Sequence, residues 1–459
     1  MTDRCFSSLP LPAAQLDNLC SLGYHQMTPI QAAALPLALA GADLIAQART
    51  GSGKTAAFAL PLLARLNPRD FGTQALILCP TRELAAQVAA EIRRLARYQQ
   101  NIKVVTLCGG QAIGPQIGSL EHGAHVVVGT PGRIGDHLRK KTLSLSRVNC
   151  LVLDEADRML EMGFIDAIGA IIQQTPTERQ TLFFSATFPN DIEAMSGRFQ
   201  KSPERVAVEA MHQSLQIDQL FYVCQSDARF DALVRLLGHY RPDNAVVFCN
   251  TIQMVRDTCD HLARQGISVA ALHGDMEQRE RDQVLVQFRQ LSCRVLVATD
   301  VAARGLDIDD LQAVINVELP RTPEVYVHRI GRTGRAGRGG LALSIFTSAE
   351  RYRVESIGDF QQRAISFEAI ETIAWSGVPL PSPTFLTLCI AGGRKDKVRP
   401  GDILGALTGE AGIDSREVGR IDVMDNVTYV AISRESADPA LGRLVNGRIK
   451  GRKFKVRKL

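Results

Sequence analysis

A loop reading Ala48-Arg49-Thr50-Gly51-Ser52-Gly53-Lys54-Thr55 is followed about a hundred residues later by the acidic Asp154-Glu155-Ala156-Asp157. An arginine run, His328-Arg329-Ile330-Gly331-Arg332-Thr333-Gly334-Arg335, closes the set. Glycines in such a loop let backbone N–H groups close around phosphates, a lysine reaches the terminal phosphates, and a threonine hydroxyl can ligate Mg²⁺. An acidic pair would then hold the metal and position a water, while distant arginines would meet the negative charge of phosphoryl transfer. The order of these motifs points to a nucleotide site divided between two domains.

The elements that must position these groups repeat. Short Val/Ile/Leu-rich runs alternate with helix-like stretches, the pattern of parallel strands buried on both faces. Four of the runs have a second copy: residues 74–81 resemble 244–251, 104–110 resemble 269–274, 126–130 resemble 295–299, and 151–155 resemble 314–318, at offsets of 163 to 170 residues. Preserved order and spacing predict two copies of one doubly wound α/β domain. In such sheets ligands bind beyond the carboxyl ends of the strands. The matched pairs Thr81/Thr251, Gly110/Gly274 and Thr130/Thr299 would therefore put hydroxyls and bare amides on one rim of each domain, suited to a sugar-phosphate backbone. Thr at helix caps and Gly in turns is the plainer alternative.

The chain has 459 residues, enough for about three domains of roughly 150 each. No segment is apolar enough to span a membrane, and Asp3, Pro10 and Pro12 interrupt any signal-peptide core, so a cytoplasmic protein is expected. Ten scattered cysteines without a Cys-x-x-Cys pair argue against zinc and for reduced, buried thiols. The net charge of +5 is uneven: residues 385–459 hold 15 basic and 9 acidic side chains, the rest 38 and 39. From Arg443 onward there are eight basic residues and no acidic one, the footprint of a phosphate-rich partner.

The expected boundaries are a first domain over 1–205, a short linker at 206–215, a second domain over 216–370, a Pro-rich linker at 371–384 and a third unit over 385–459. The third unit reads strand 384–391, helix 401–407, strands 420–424 and 428–433, helix 439–445, and strand 453–459. That βαββαβ order is a split βαβ sandwich.

Over residues 1 to about 370 the chain resembles the DEAD-box RNA helicases. Residues 23–31, Gly-Tyr-His-Gln-Met-Thr-Pro-Ile-Gln, match the family's Q motif, and Phe6 stands seventeen residues before Gly23, where the family places an adenine-stacking aromatic. The resemblance implies two tandem RecA-like domains using ATP and Mg²⁺. Gln31 would bind the adenine edge, the loop through Thr50, Gly51, Ser52 and Gly53 would cradle the phosphates, and Lys54 would neutralise them. Thr55 and Asp154 would hold Mg²⁺, Asp154 through water, and Glu155 would activate the attacking water. Arg332 and Arg335 are implied as arginine fingers, with Gly305 and Asp307 at the ribose. These groups come from both domains, so hydrolysis would require closure.

The same resemblance assigns RNA contacts to Pro80, Thr81, Arg82, Gly110, Thr130 and Arg133 in the first domain, and to Gly274, Arg281 and Thr299 in the second. Asp157, Ser185, Thr187 and His328 would couple the two sites, with an Asp157–His328 contact. The third unit resembles the RNA-recognition-motif-like (RRM-like) C-terminal α+β domain of a bacterial subfamily of these helicases, in particular over 399–409. That likeness implies binding to a large-subunit ribosomal RNA hairpin, work on pre-ribosomal particles, and a monomer with no membrane partner. Its third strand offers only Tyr429 where an ordinary RNA-recognition motif has two aromatics. Basic side chains, among them Arg448, Lys450, Arg452 and Lys453, are therefore expected to carry recognition. Two other readings stand beside this one: an ATP-gated RNA clamp or scaffold, and another P-loop enzyme such as a DNA translocase or nucleotide kinase.

Overall fold

Runs of Val, Ile, Leu and Ala that are buried on both faces become parallel strands covered by helices. The computed structural model describes residues 4–48, 52–185, 187, 190–207, 217–303, 311–334, 339–375, 377, 380–409 and 412–459. The chain folds into two compact units that divide at residues 213 and 214.

The first unit holds strands β1 (Leu44–Gln47), β2 (Ala75–Leu78), β3 (Val104–Leu107), β4 (Val126–Gly129), β5 (Cys150–Asp154), β6 (Gln180–Ser185) and β7 (Glu204–Ala207). They form one parallel sheet in the order β3-β4-β2-β5-β6-β1-β7. The second unit holds β8 (Ile217–Val223), β9 (Ala245–Cys249), β10 (Val269–Leu272), β11 (Val295–Thr299), β12 (Ala313–Asn316), β13 (Gly340–Phe346) and β14 (Phe367–Ala369). Their order, β10-β11-β9-β12-β13-β8-β14, is the first order repeated strand for strand. The four internal sequence matches fall on β2 and β9, β3 and β10, β4 and β11, β5 and β12. The duplication read from sequence is therefore a duplication of topology, and the expected pair of RecA-like sheets is present.

Helices leave the carboxyl ends of these strands through side-chain caps. Thr81 Oγ1 accepts from Leu84 N at 3.2 Å and Thr251 Oγ1 from Met254 N at 3.1 Å, so this matched pair does cap helices. A capping hydroxyl uses only its oxygen and can still donate its proton to a phosphate.

The C-terminal domain has β15 (Phe385–Ile390), β16 (Val418–Val423), β17 (Thr428–Ser433) and β18 (Val456–Lys458), with helices Pro400–Thr408 and Ala437–Asn446 between them. The sheet is antiparallel in the order β16-β17-β15-β18, the expected α+β sandwich, although the last strand is shorter than 453–459. Leu388, Ile390, Val430 and Ile432 face the helices and pack with Ile403, Leu407 and Leu444. Side-chain alternation puts Thr387, Cys389 and Tyr429 on the opposite face.

That opposite face is covered. Cys389 and Tyr429 pack on Val286 of the second domain's helix Gln278–Arg289. Buried Gln290 donates its Nε2 to Asp422 Oδ2 at 3.0 Å and to Tyr429 O at 3.4 Å, and its Oε1 accepts from Thr387 Oγ1 at 2.9 Å. Ser292 Oγ lies 2.7 Å from Thr387 Oγ1. Tyr429, read from sequence as the one aromatic of a stacking platform, is only 3% exposed and cannot serve as one. Burial of the sheet face against another domain was not visible in the local pattern.

The segment expected as a linker at 371–384 is strapped to the second domain. Ile370, Ile373 and Leu380 join its core, and His239 Nδ1 lies 3.0 Å from Ala374 O. Trp375 lies over Gly238, where an added Cβ would meet Trp375 Nε1 at 2.1 Å. Gly238→Ala must therefore displace Trp375 and should cost about 1–3 kcal/mol. Trp375 is the chain's single tryptophan, so its fluorescence reports the strap directly. A red-shifted emission and a lower melting temperature are expected; wild-type emission would show that the strap does not rest on Gly238.

Candidate nucleotide and RNA site

The first half-site is built where β1, β5 and β6 end. Gln31 caps its own helix, its Oε1 accepting from Thr28 N at 2.9 Å, and its Nε2 donates to Gly53 O at 3.1 Å. Gly53 has φ +90°, and a Cβ there would lie 2.4 Å from Gln31 Nε2, so only glycine fits this approach. Lys54 is buried and donates Nζ to Ala48 O at 2.9 Å. The loop's lysine and the Q-motif amide are thus each bonded to a backbone carbonyl of the glycine-rich loop. Phe6 does not form an open platform: it is 4% exposed and meets Tyr24 edge-on at 6.1 Å. Thr55 is half-buried at the start of the helix Lys54–Ala64, with Ser52 just before it. Thr50 and Gly51 lie outside the described residues.

Asp154 ends β5 with 3% exposure, and its Oδ1 has no hydrogen-bond partner among the described residues. Burial pushes its carboxyl up to about 7 against the pull of the Lys54 ammonium, and neighbouring Glu155 raises it further. A buried acidic oxygen lacking a donor fits a site for a hydrated cation, and Asp154 with Thr55 would hold Mg²⁺, which when bound neutralises phosphate charge. Glu155 follows in the left-handed region at φ 55° and ψ 52°, a conformation that costs a non-glycine residue about 1–3 kcal/mol. That turn starts the helix Ala156–Glu161 and leaves Glu155 8% exposed beside Asp154.

The next acid joins two motifs. Asp157 Oδ2 accepts from both Thr187 N and Thr187 Oγ1 at 2.9 Å, and Ser185 Oγ donates to Thr187 O at 2.7 Å. Three of the four residues expected to couple the sites therefore form one bonded chain. His328 belongs to the other unit, where its Nδ1 is buried with no hydrogen-bond partner among the described residues.

Candidate RNA contacts of the first domain converge at the ends of the neighbouring strands β2, β3 and β4. Arg82 lies over Gly110, whose φ is +70° and where an added Cβ would meet Arg82 Nη1 at 2.2 Å. Arg133 Nη2 donates to Gln111 O at 2.9 Å. Arg82 Nε and Arg133 Nη1 are buried without hydrogen-bond partners among the described residues, donors suited to phosphate oxygens. Pro80 and Thr81 flank them, and Thr130 begins the helix Pro131–Arg139. In the second domain Gly274 follows β10, Arg281 lies on the helix Gln278–Arg289, and Thr299 ends β11. Arg448, Lys450, Arg452 and Lys453 are exposed on the C-terminal domain, and Lys450 Nζ donates to Lys397 O at 3.2 Å.

Sequence reasoning missed Arg329, the most connected side chain of the second domain. It is 2% exposed, and every guanidinium nitrogen is engaged. Nε and Nη2 grip both Asp300 oxygens at 2.7 Å, Nη1 donates to Asn316 Oδ1 at 3.0 Å and Glu318 O at 2.7 Å, and Nη2 also reaches Asn250 Oδ1 at 2.9 Å. The fan ties the ends of β9, β11 and β12 to the helix that leads into half-buried Arg332. Asp300, held by this fan, thereby anchors the end of β11 at Thr299. Gly305, Asp307 and Arg335 lie outside the described residues. The thiols are free: Cys5 and Cys20 are exposed, while Cys79, Cys150 and Cys249 are buried as expected.

Replacing Arg329 by Lys removes the fork and leaves buried Asp300, Asn316 and Asn250 oxygens short of donors. The second unit should lose about 3–5 kcal/mol, read as an earlier thermal transition; an unchanged transition would remove Arg329 as the organiser. Asp154 behaves oppositely. Its folded pKa lies above the ordinary 3.8, so folding stability is present at low pH and is lost as pH rises towards 7. Asp154→Asn should then raise the melting temperature of nucleotide-free, chelator-treated protein more at about pH 8 than at about pH 5. An equal effect at both would contradict the buried-charge assignment.

Comparison with known proteins agrees with this geometry. Residues 28–195 match the DEAD/DEAH box helicase model, 228–337 the helicase conserved C-terminal domain, and 387–458 the DbpA RNA binding domain. The ATP-dependent RNA helicase DbpA of Escherichia coli (strain K12) is 52% identical over 455 residues, covering 99% of both chains. The Bacillus subtilis (strain 168) protein of that name is 38% identical over 468 residues, covering 96% of this chain and 97% of the relative. Among solved structures, Saccharomyces cerevisiae Dbp5 bound to RNA and ADP BeF3 aligns with a TM-score of 0.73 at 31% identity, over 80% of this chain and 95% of that one. With a duplicated RecA-like core, matches to both helicase domains and to the DbpA RNA binding domain, and similarity along its whole length, the chain belongs to the DbpA subfamily of DEAD-box ATP-dependent RNA helicases.

Proposed function

We propose that this helicase remodels large-subunit ribosomal RNA during assembly of the subunit, held at its target by the C-terminal domain gripping a ribosomal RNA hairpin. The observation that carries the proposal is that domain: its sheet face is covered, its excess charge is positive, and it matches an RNA-binding family over 387–458. With no stacking platform, binding rests on cations such as Arg448, Lys450, Arg452 and Lys453 around the exposed loop. The enzyme acts as a monomer in the cytoplasm, on pre-ribosomal particles.

Within the core, Gln31 exchanges Gly53 O for the adenine edge and Lys54 exchanges Ala48 O for phosphate oxygens. Asp154 and Thr55 would hold Mg²⁺, which would neutralise phosphate charge, and Glu155 accepts a proton from the attacking water. Arg332 and Arg335 complete the site from the second domain, with Gly305 and Asp307 at the ribose. The Asp157–Thr187–Ser185 chain, with His328, links this closure to the RNA edges carrying Arg82, Gly110, Arg133, Gly274, Arg281 and Thr299. ATP and RNA then each reduce the ordering cost of the other. RNA is strained locally rather than tracked over long distances, and hydrolysis resets the clamp.

Glu155→Gln keeps the acceptor's shape and removes its basicity. It should retain ATP-dependent RNA binding while turnover falls by about 10²-fold or more; wild-type turnover would remove Glu155 from the role. Targeting is tested by measuring ATPase stimulation with a large-subunit ribosomal hairpin fragment and with an unrelated structured RNA of equal length. Strong, hairpin-selective stimulation that is lost when Lys450, Arg452 and Lys453 are neutralised supports the ribosomal target. Equal stimulation by both RNAs reduces the protein to an untargeted ATP-gated clamp.

A further inference from the structure

The junction between the second domain and the C-terminal domain opens, at one end, onto a cationic edge. Arg279, Gln283, Val286 and Gln290 are spaced as one stripe along the helix Gln278–Arg289 and just past it. Val286 and Gln290 make the buried contacts described above, while Arg279, two turns earlier, is exposed. On the other side, Arg457 of β18 is directly opposite Cys389 of β15, which puts it on the covered face of the sheet, where Leu459 also packs. Burial pushes the Cys389 thiol up, and Arg457 and then Arg279 pull it back, as fits their places on the strand beside Cys389 and on the helix that covers it.

Neither arginine forms an ion pair with a carboxylate among the described residues. The nearby acids have other partners: Asp282 accepts from Gln278 Nε2 at 2.7 Å, and Asp422 holds Gln290 and Arg420. Arg279 adjoins the candidate core contacts Gly274 and Arg281. Arg457 and exposed Lys455 continue from Arg452 and Lys453. Cations therefore run from the core's RNA edge to the C-terminal loop, and the buried Gln290 network fixes the spacing where the run crosses between domains.

We propose that this junction is itself an RNA-backbone site, in which Arg279 and Arg457 grip phosphates of the single-stranded segment joining the RNA held by the C-terminal domain to the RNA held by the core. The inference rests on the C-terminal domain binding a hairpin, as argued above, and adds where the strand passes next. Covered Tyr429 offers no base platform there, so the grip is to phosphate and independent of sequence; paired guanidinium forks suit phosphate oxygens.

The test uses full-length protein with Arg279→Gln, Arg457→Gln and the double variant. Binding to a large-subunit ribosomal stem–loop, and to the same stem–loop carrying a single-stranded uridine tail, is followed by anisotropy over a salt series. For the tailed RNA, each neutralisation should flatten the slope of log K against log salt by about 0.7, and the double variant by the sum. The untailed stem–loop should be unaffected. Arg279→Lys and Arg457→Lys should restore the slope, separating lost charge from lost packing. Unchanged slopes on the tailed RNA would overturn the junction site, as would equal losses on both RNAs, which would assign the arginines to the stem–loop site instead. Failure of wild-type protein to bind the stem–loop at all would instead overturn the underlying hairpin reading.

Discussion

A carboxylate oxygen buried without a donor is expensive, and among the described residues of the first domain Asp154 Oδ1 is one. The parallel sheet delivers the acid at the end of β5, one residue before a backbone strained into the left-handed region at Glu155. Around it the polar groups have partners within the protein: Lys54 holds Ala48 O, Gln31 holds Gly53 O, and Asp157 holds Thr187. Of these groups, Asp154 Oδ1 alone lacks a partner among the described residues. In the function proposed above, a hydrated cation bearing phosphates would complete that oxygen and offer new partners to Lys54 and Gln31.

The second domain solves the reverse problem. Its central charge, Arg329, is fully paired and tethers the ends of three strands. A buried guanidinium with every donor used is rigid, because any shift leaves oxygens uncompensated. Rigidity there holds Thr299 and the approach to Arg332 in a fixed relation. In the function proposed above, each domain carries one set of nucleotide groups and one RNA edge on the same rim of its sheet, and the duplicated topology gives the two rims the same layout. The C-terminal domain adds a third surface at a set position, because the Gln290 network leaves it docked on the second domain rather than tethered by a loose linker.

Much of this was legible in the sequence. Strand burial on both faces gives Val/Ile/Leu runs that stand out, so the repeat, the strand ends and the motifs placed on them could be read together. Long-range polar contacts were not legible. Arg329 reads as one basic residue in an arginine-rich run, and nothing local announces that Asn250, Asp300, Asn316 and Glu318 O converge on it. The docked sheet face failed for a related reason: Arg279, Gln283, Val286 and Gln290 form a mostly polar stripe that looks solvent-facing. Its partners Thr387, Cys389 and Tyr429 are ordinary alternating strand positions, Thr387 lying 97 and Tyr429 139 residues beyond Gln290. Gln31 was expected as an adenine ligand by resemblance alone, and its bond to Gly53 O depends on a backbone approach only coordinates reveal.

The central claim is that ATP and RNA are bound by surfaces completed in the same closure. Linkage makes this measurable without catalysis: a nonhydrolysable ATP analogue should tighten single-stranded RNA binding by some factor, and RNA should tighten the analogue by that same factor. Titrating each ligand with and without saturating amounts of the other tests it directly. Equal and substantial factors are the predicted result; affinities for each ligand that ignore the other would contradict the divided, closure-dependent site.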